Sequence, residues 1–241
     1  MRHAGRHALR LVAVLALAVL CLQLWFAGRI ALMRFVAPQS TSFQRSEALR
    51  LMKEKQQVPW AQAWLDDAQL PKTLKRAVIA SEDDGFADHG GVDWDALKGA
   101  WKKNEKAQAR AEARGKPTAK VVGGSTITQQ LAKNLFLSGE RTLLRKGQEL
   151  ILTLMLEALL DKRRILEIYL NSVEWGEGLF GAQAAARHYF GMDAARLGNF
   201  EAARLAVMLP APKRFERQPG SGYVIGRAGI ISNRMNDARL P

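Results

Sequence analysis

Residues 11–27 read LVAVLALAVLCLQLWFA, with Gln23 as the one polar side chain, and the apolar character resumes at Ile30 to Val36 after Gly28 and Arg29. A run of this length is expected to span a bilayer, where a helix satisfies its own backbone hydrogen bonds. The rival reading is a cleaved signal peptide, but a small-residue cleavage pair is hard to place, because Ala27 would put Trp25 inside the site. Residues 11–33 are therefore read as an uncleaved transmembrane anchor. Arg2, Arg6 and Arg10 precede it while Arg29, Arg34 and Arg45 follow, so basic residues hardly orient it. The usual arrangement of a short N-terminus assigns residues 1–10 to the cytoplasm and the large remainder to the far side. Residues 34–57 read as a linker with a short helix, and residues 58–241 as the folded domain. The anchor is expected to add no chemistry, so removing residues 1–34 should leave that domain folded.

The chain has 241 residues, 48% of them hydrophobic, which is ample for one core. Thirty-six Lys and Arg against 23 Asp and Glu leave +13, which suits a polyanionic partner: nucleic acid, anionic lipid or a phosphorylated substrate. The single cysteine, Cys21, lies in the apolar run, so neither an intrachain disulfide nor a cysteine metal cluster can form.

Two stretches carry chemistry. In the first, Ser81-Glu82-Asp83-Asp84-Gly85-Phe86-Ala87-Asp88-His89-Gly90-Gly91, four carboxylates and a histidine crowd the end of an apolar helix. A carboxylate directly after Val78-Ile79-Ala80 is expected to be half buried, which raises its pKa toward that of a useful general base. No second histidine stands nearby at ligand spacing, which argues against a metal site. In the second stretch, Gly123 and Gly124 free the backbone, and Thr126 with Gln129 has the spacing of a capping box. The helix that starts there is expected to offer its first amides to phosphate or another anion, with Lys133 about two turns further in. Beyond a break near Ser138 and Gly139, a second helix carries Arg145, Lys146 and Glu149, with Arg145 and Glu149 on one face.

The rest reads as helices. Residues 98–120 suit an exposed basic helix that frays at Gly115 and Pro117 into a flap, and Trp101 reads either as a core anchor or as an interfacial side chain. Leu150–Leu160 is too short to span a membrane and reads as a buried central helix with Glu149 at its entrance. An amphipathic helix follows with Ile165, Ile168 and Tyr169 inward, then Ala182–Phe190 with Gly191 as C-cap, Glu201–Leu209, and a short helix near Ile230–Met235. Strand signals are nearly absent, and the domain is expected to be mainly α.

These stretches together resemble the peptidoglycan glycosyltransferase family, the monofunctional biosynthetic transglycosylases and the matching domain of bifunctional penicillin-binding proteins. The likeness covers about Val58 to Met235. The motif E-D-x-x-F-x-x-H-x-G is met by Glu82, Asp83, Phe86, His89 and Gly91. G-G-S-T-I-[TS]-Q-Q-x-x-K-N is met by Gly123 through Gln130 with Lys133 and Asn134. R-K-x-x-E is Arg145, Lys146 and Glu149, R-I-L-E-x-Y-L-N runs from Arg164 to Asn171, and Tyr189, Phe190 and Gly191 complete a later pattern. The least typical part is the long basic insert before Val121.

The resemblance implies a lysozyme-like helical domain with a smaller membrane-proximal lobe. It further implies polymerisation of lipid II into β-1,4-linked glycan, with release of undecaprenyl pyrophosphate, in the periplasm at the bacterial inner membrane. Its expected partners are lipid II, the growing glycan chain and the membrane. A pyrophosphate leaving group is weakly basic and needs cations and amide donors more than a proton. Glu82 is accordingly expected to be the general base. Glu149 should orient the cations, and Ser125, Thr126, Gln130, Lys133, Asn134, Arg145 and Lys146 should bind substrate or pyrophosphate. Asp83, Phe86 and His89 should hold the turn that presents Glu82. No cofactor is required, although the family allows a divalent cation, Mg or Mn, at the pyrophosphate. The rivals are a membrane-bound lytic transglycosylase or muramidase, and a basic anchored binding protein, which has no use for Glu82 or Glu149. A nucleic-acid binder is disfavoured by the anchor and by the lack of an interleaved aromatic and basic stripe.

Overall fold

The computed structural model describes residues 2–113, 124–140 and 142–241. Within them the chain is mainly α, as its patterning predicts. In order it forms α1 (Arg2–Leu32), α2 (Ser42–Lys55), β1 (Ala61–Gln62), α3 (Lys72–Glu82), α4 (Trp94–Glu112), α5 (Ile127–Phe136), α6 (Leu143–Leu159) and α7 (Lys162–Ser172). Then come β2 (Glu174–Gly176), β3 (Leu179–Phe180), α8 (Ala182–Phe190), a 3-10 turn (Ala194–Arg196), α9 (Asn199–Met208), α10 (Pro212–Phe215) and α11 (Gly222–Arg234). Gly115, Pro117 and Gly123 lie outside the described residues.

Two helical groups share one core. In the first, α3, α9 and α11 pack together, while in the second α5 lies against α2, α6 and α7. Tyr169 and Trp175 are among the largest fully buried side chains between them. A small sheet of order β1-β3-β2 closes one end, with β1 parallel and β2 antiparallel to β3. The hairpin needs glycine at Gly178, where φ is +68° and a Cβ would lie 2.0 Å from the Pro59 carbonyl oxygen. Asn171 staples the segment before α3: its Nδ2 donates to the Leu65 carbonyl at 2.8 Å and its Oδ1 accepts from the Leu65 amide at 2.8 Å. Buried charges tie α2 to the sheet, where Lys213 bridges Glu47 at 2.6 Å and Glu174 at 3.3 Å.

Three expectations are corrected. The anchor packs against the domain: α1 contains Leu9–Leu32, long and apolar enough to cross a membrane, yet its C-terminal part puts Phe26 and Ile30 into the core, joined by Met33 just past its end. Phe26 meets Phe136 edge to face at 5.2 Å, and Arg164 Nε donates to the Met33 carbonyl at 2.8 Å. Second, the helix through Leu150 is not buried all round. It begins at Leu143, runs straight through Glu149, and exposes Leu143, Leu144, Ile151 and Leu154. Third, the last helix is longer than expected, because Ser221 caps it by accepting from the Val224 amide. Trp101 is an exposed side chain of α4, its Nε1 donating to Glu105 at 2.6 Å.

Candidate active site

Glu82 is the last residue of α3, a helix pinned by fully buried Leu74, Ala77, Val78 and Ile79. The helix therefore delivers the carboxylate to a fixed place, half-buried. Gln130 Nε2 donates to Glu82 Oε2 at 3.0 Å, and Ser81 Oγ lies 3.4 Å from Oε1. Burial pushes the Glu82 carboxyl up. The bonds from Gln130 and Ser81 pull it down, and neighbouring Asp83 adds to the rise, which prevails. The orientation of Gln130 is itself held, because the hydroxyl of fully buried Tyr169 donates to its Oε1 at 2.9 Å and leaves the NH2 for Glu82.

Asp83 knits the first motif to the second. Its Oδ1 meets His89 Nε2 at 2.8 Å and its Oδ2 accepts the Ile127 amide at 2.9 Å. The Gly91 amide donates to His89 Nδ1 at 3.1 Å, which puts the ring proton on Nε2, facing Asp83. Gly91 has φ +87°, and a Cβ there would come within 2.8 Å of Thr153 and Glu157 on α6. Its carbonyl accepts from Thr126 Oγ1 at 2.6 Å. Phe86 is fully buried beneath Lys162, whose Nζ lies 4.5 Å from the ring centroid and bonds Glu157 at 2.9 Å.

This arrangement narrows what the α5 start can offer an external anion. Thr126 and Gln129 do form the capping box, but the first helical amide is taken by Asp83 and the Gln129 amide by Thr126 Oγ1. The anion bound at this helix start is a side chain of the protein. Thr126 is buried, its hydroxyl turned onto Gly91, and it lines the cavity on the Glu82 side, whereas Asn134 is buried and lines neither that cavity nor the one beside Glu149.

The remaining cations do converge. A cavity of about 300 Å³ is lined by Lys133, Arg145, Lys146, Glu149, Gln130 and Ser125, among others. Glu149 is 3% exposed, with Arg145 Nη1 at 2.6 Å from Oε2 and Lys146 Nζ on Oε1. Arg145 keeps a buried Nε–H with no acceptor among the described residues. The three cationic side chains that line this cavity fit an incoming anionic oxygen. A second cavity of about 380 Å³ lies on the Glu82 side, and Ser125 lines both. A base and a cation cluster thus stand along one cleft.

Sequence reading brought Glu82, Gln130, Lys133, Arg145, Lys146, Glu149 and Ser125 to this cleft, with Asp83, Phe86 and His89 behind it. It missed Tyr169 as a partner of Gln130, having taken it only as an inward side chain. Its place within R-I-L-E-x-Y-L-N was the available signal. Among the described residues no group of three or more His, Cys, Asp or Glu is placed to hold a metal ion. Both Glu149 oxygens are engaged by Arg145 and Lys146.

Comparison with known proteins agrees with the geometry. The chain is 51% identical to a biosynthetic peptidoglycan transglycosylase of Burkholderia orbicola (strain MC0-3), over 98% of this chain and 93% of the relative. It is 52% identical to one of Janthinobacterium sp. (strain Marseille), over 96% of each. It is 50% identical to one of Paraburkholderia phytofirmans, over 95% of this chain and 91% of the relative. The family model described as Transglycosylase matches residues 49–236, which include Glu82, the cation cluster and Tyr169. With that span and those identities, the chain belongs to the transglycosylase family and is a glycosyltransferase of peptidoglycan synthesis.

Proposed function

We propose that this glycosyltransferase polymerises lipid II, with Glu82 as general base and the Lys133, Arg145 and Lys146 cluster as the site of the departing pyrophosphate. The 4-hydroxyl of the acceptor GlcNAc gives its proton to Glu82. Its oxygen bonds to the anomeric carbon of the donor MurNAc, and the bond from that carbon to the pyrophosphate oxygen breaks with inversion. Undecaprenyl pyrophosphate leaves already stabilised by cations, so no acid need protonate it. Glu149 holds Arg145 and Lys146 in place and does not touch the sugar. No step is routed through a metal ion.

The observation that carries this reading is the cavity lined by Lys133, Arg145 and Lys146 beside a separate, half-buried carboxylate. A glycosidase instead pairs two carboxylates across the scissile bond, and here the second carboxylate is fully engaged by its own cations. The N-terminal apolar helix supports single-pass anchoring in the inner membrane, with the catalytic domain in the periplasm where lipid-linked donor and growing glycan meet. Incubating the purified full-length protein with labelled lipid II in detergent should yield glycan polymer. Cleavage of finished sacculi without polymer formation would refute the reading in favour of a lytic enzyme.

A further inference from the structure

The one polar side chain of the apolar run has a partner. Gln23 Nε2 donates to Gln148 Oε1 at 2.9 Å, and Gln148 Nε2 donates back to Gln23 Oε1 at 3.1 Å. Gln148 belongs to α6, between Lys146 and Glu149. Around that helix it stands about 100° from Glu149, so α1 grips one side of α6 while the adjoining side presents Arg145 and Glu149 to the cavity. Gln23 also begins a seam along α1: Phe26, Ile30 and Met33 follow at spacings of three, four and three, all buried.

The apolar part of such a seam holds two helices together but tolerates sliding, because lipid tails are as apolar as the side chains they replace. A reciprocal amide pair does not tolerate it. Rotating or sliding either helix by one residue separates the two part-buried amides and forfeits both hydrogen bonds. Leucine at position 23 would suit the membrane better, so membrane insertion does not account for Gln23.

We propose that the membrane-spanning helix is a positioning element of the cation cluster, and that Gln23 is the positioning residue, acting through Gln148 to set the rotation and depth of Arg145, Lys146 and Glu149 at the membrane surface. This rests on the reading of that cavity as the pyrophosphate site. The cluster then meets the pyrophosphate at the depth where the lipid presents it.

The test uses the full-length protein in vesicles of phosphatidylethanolamine and phosphatidylglycerol, as wild type, Gln23→Leu, Gln148→Leu and the double variant. Lipid II polymerisation gives KM and kcat, and hydrogen exchange is followed over residues 143–150, with α3 and α9 as a check on the fold. Each single variant should raise KM about threefold to twentyfold, the range an interhelical hydrogen bond supports, and quicken exchange over 143–150 while α3 and α9 stay protected. The double variant should be no worse than the poorer single one, since both remove the same pair. Multiplying effects in the double variant, or singles with wild-type KM and wild-type exchange, would overturn the proposal. If the wild type makes no polymer, the assigned reaction falls, and exchange over 143–150 in the same four proteins still decides whether Gln23 positions the cluster.

Discussion

Removing residues 1–34 takes away part of the core as well as a tether, and the cost follows from three side chains. Phe26 is 8% exposed, Ile30 0% and Met33 4%, and all three belong to the main hydrophobic cluster. Deleting a buried Phe side chain costs about 3–5 kcal/mol and a buried Ile or Met about 2–5 each. Together that is about 7–15 kcal/mol, as large as the whole stability of an ordinary domain. The loss is greatest in water, because detergent can cover the uncovered face around Phe136 and return the transfer part. A chain lacking residues 1–21 is the control, since it keeps Gln23 through Met33 and loses only the exposed half of the helix. Urea unfolding in detergent-free buffer should find the shorter truncation cooperative and stable, and the longer one unfolded or nearly so, with detergent recovering part of the difference. Unfolding free energies for the two truncations that agree within about 1 kcal/mol, near the error of the extrapolation, would refute the claim that α1 is built into the fold.

Glu82→Gln should keep the fold and lose polymerisation by about two to four orders of magnitude, as for a positioned general base. Because burial lifts the Glu82 carboxyl above the usual glutamate range, the wild-type rate should rise with pH through that raised pKa, and a profile flat across it would contradict the assignment. Arg145→Ala should cost about 3–4 kcal/mol in transition-state stabilisation, while circular dichroism stays native; turnover within tenfold of wild type would remove Arg145 from the leaving-group site. Glu174 is pushed up from 4.5 to about 7, chiefly by burial. Its ionisation therefore opposes folding: the penalty is absent below pH 4.5, grows between 4.5 and about 7, and is full above that. Glu174→Gln should stabilise the protein by up to about 3 kcal/mol at pH 8 and by nothing at pH 4; an equal effect at both pH values would show that the charge is not the cause.

Much of the site is legible in the chain because its chemistry is local. A carboxylate two residues past an apolar helical stripe is expected at the edge of a core, and Glu82 stands there, half-buried. Thr126 and Gln129 close a capping box because both partners lie within one turn, and Arg145 meets Glu149 because four residues return to the same face. The helix stop at Gly191 follows from the same short-range geometry. Contacts between distant segments could not be read this way. That Asp83, 44 residues away, takes the Ile127 amide depends on how α3 meets α5. The hydroxyl of Tyr169 reaches Gln130 across 39 residues, where periodicity could say only that the ring points inward. Gln23 is visible as a lone amide in an apolar run, but its partner is 125 residues on. Hydrophobicity shows that α1 leaves water, and lipid and core satisfy that demand equally well. Only the packing of α1 against α5 and α6 separates the exposed half of this helix from the half that belongs to the enzyme.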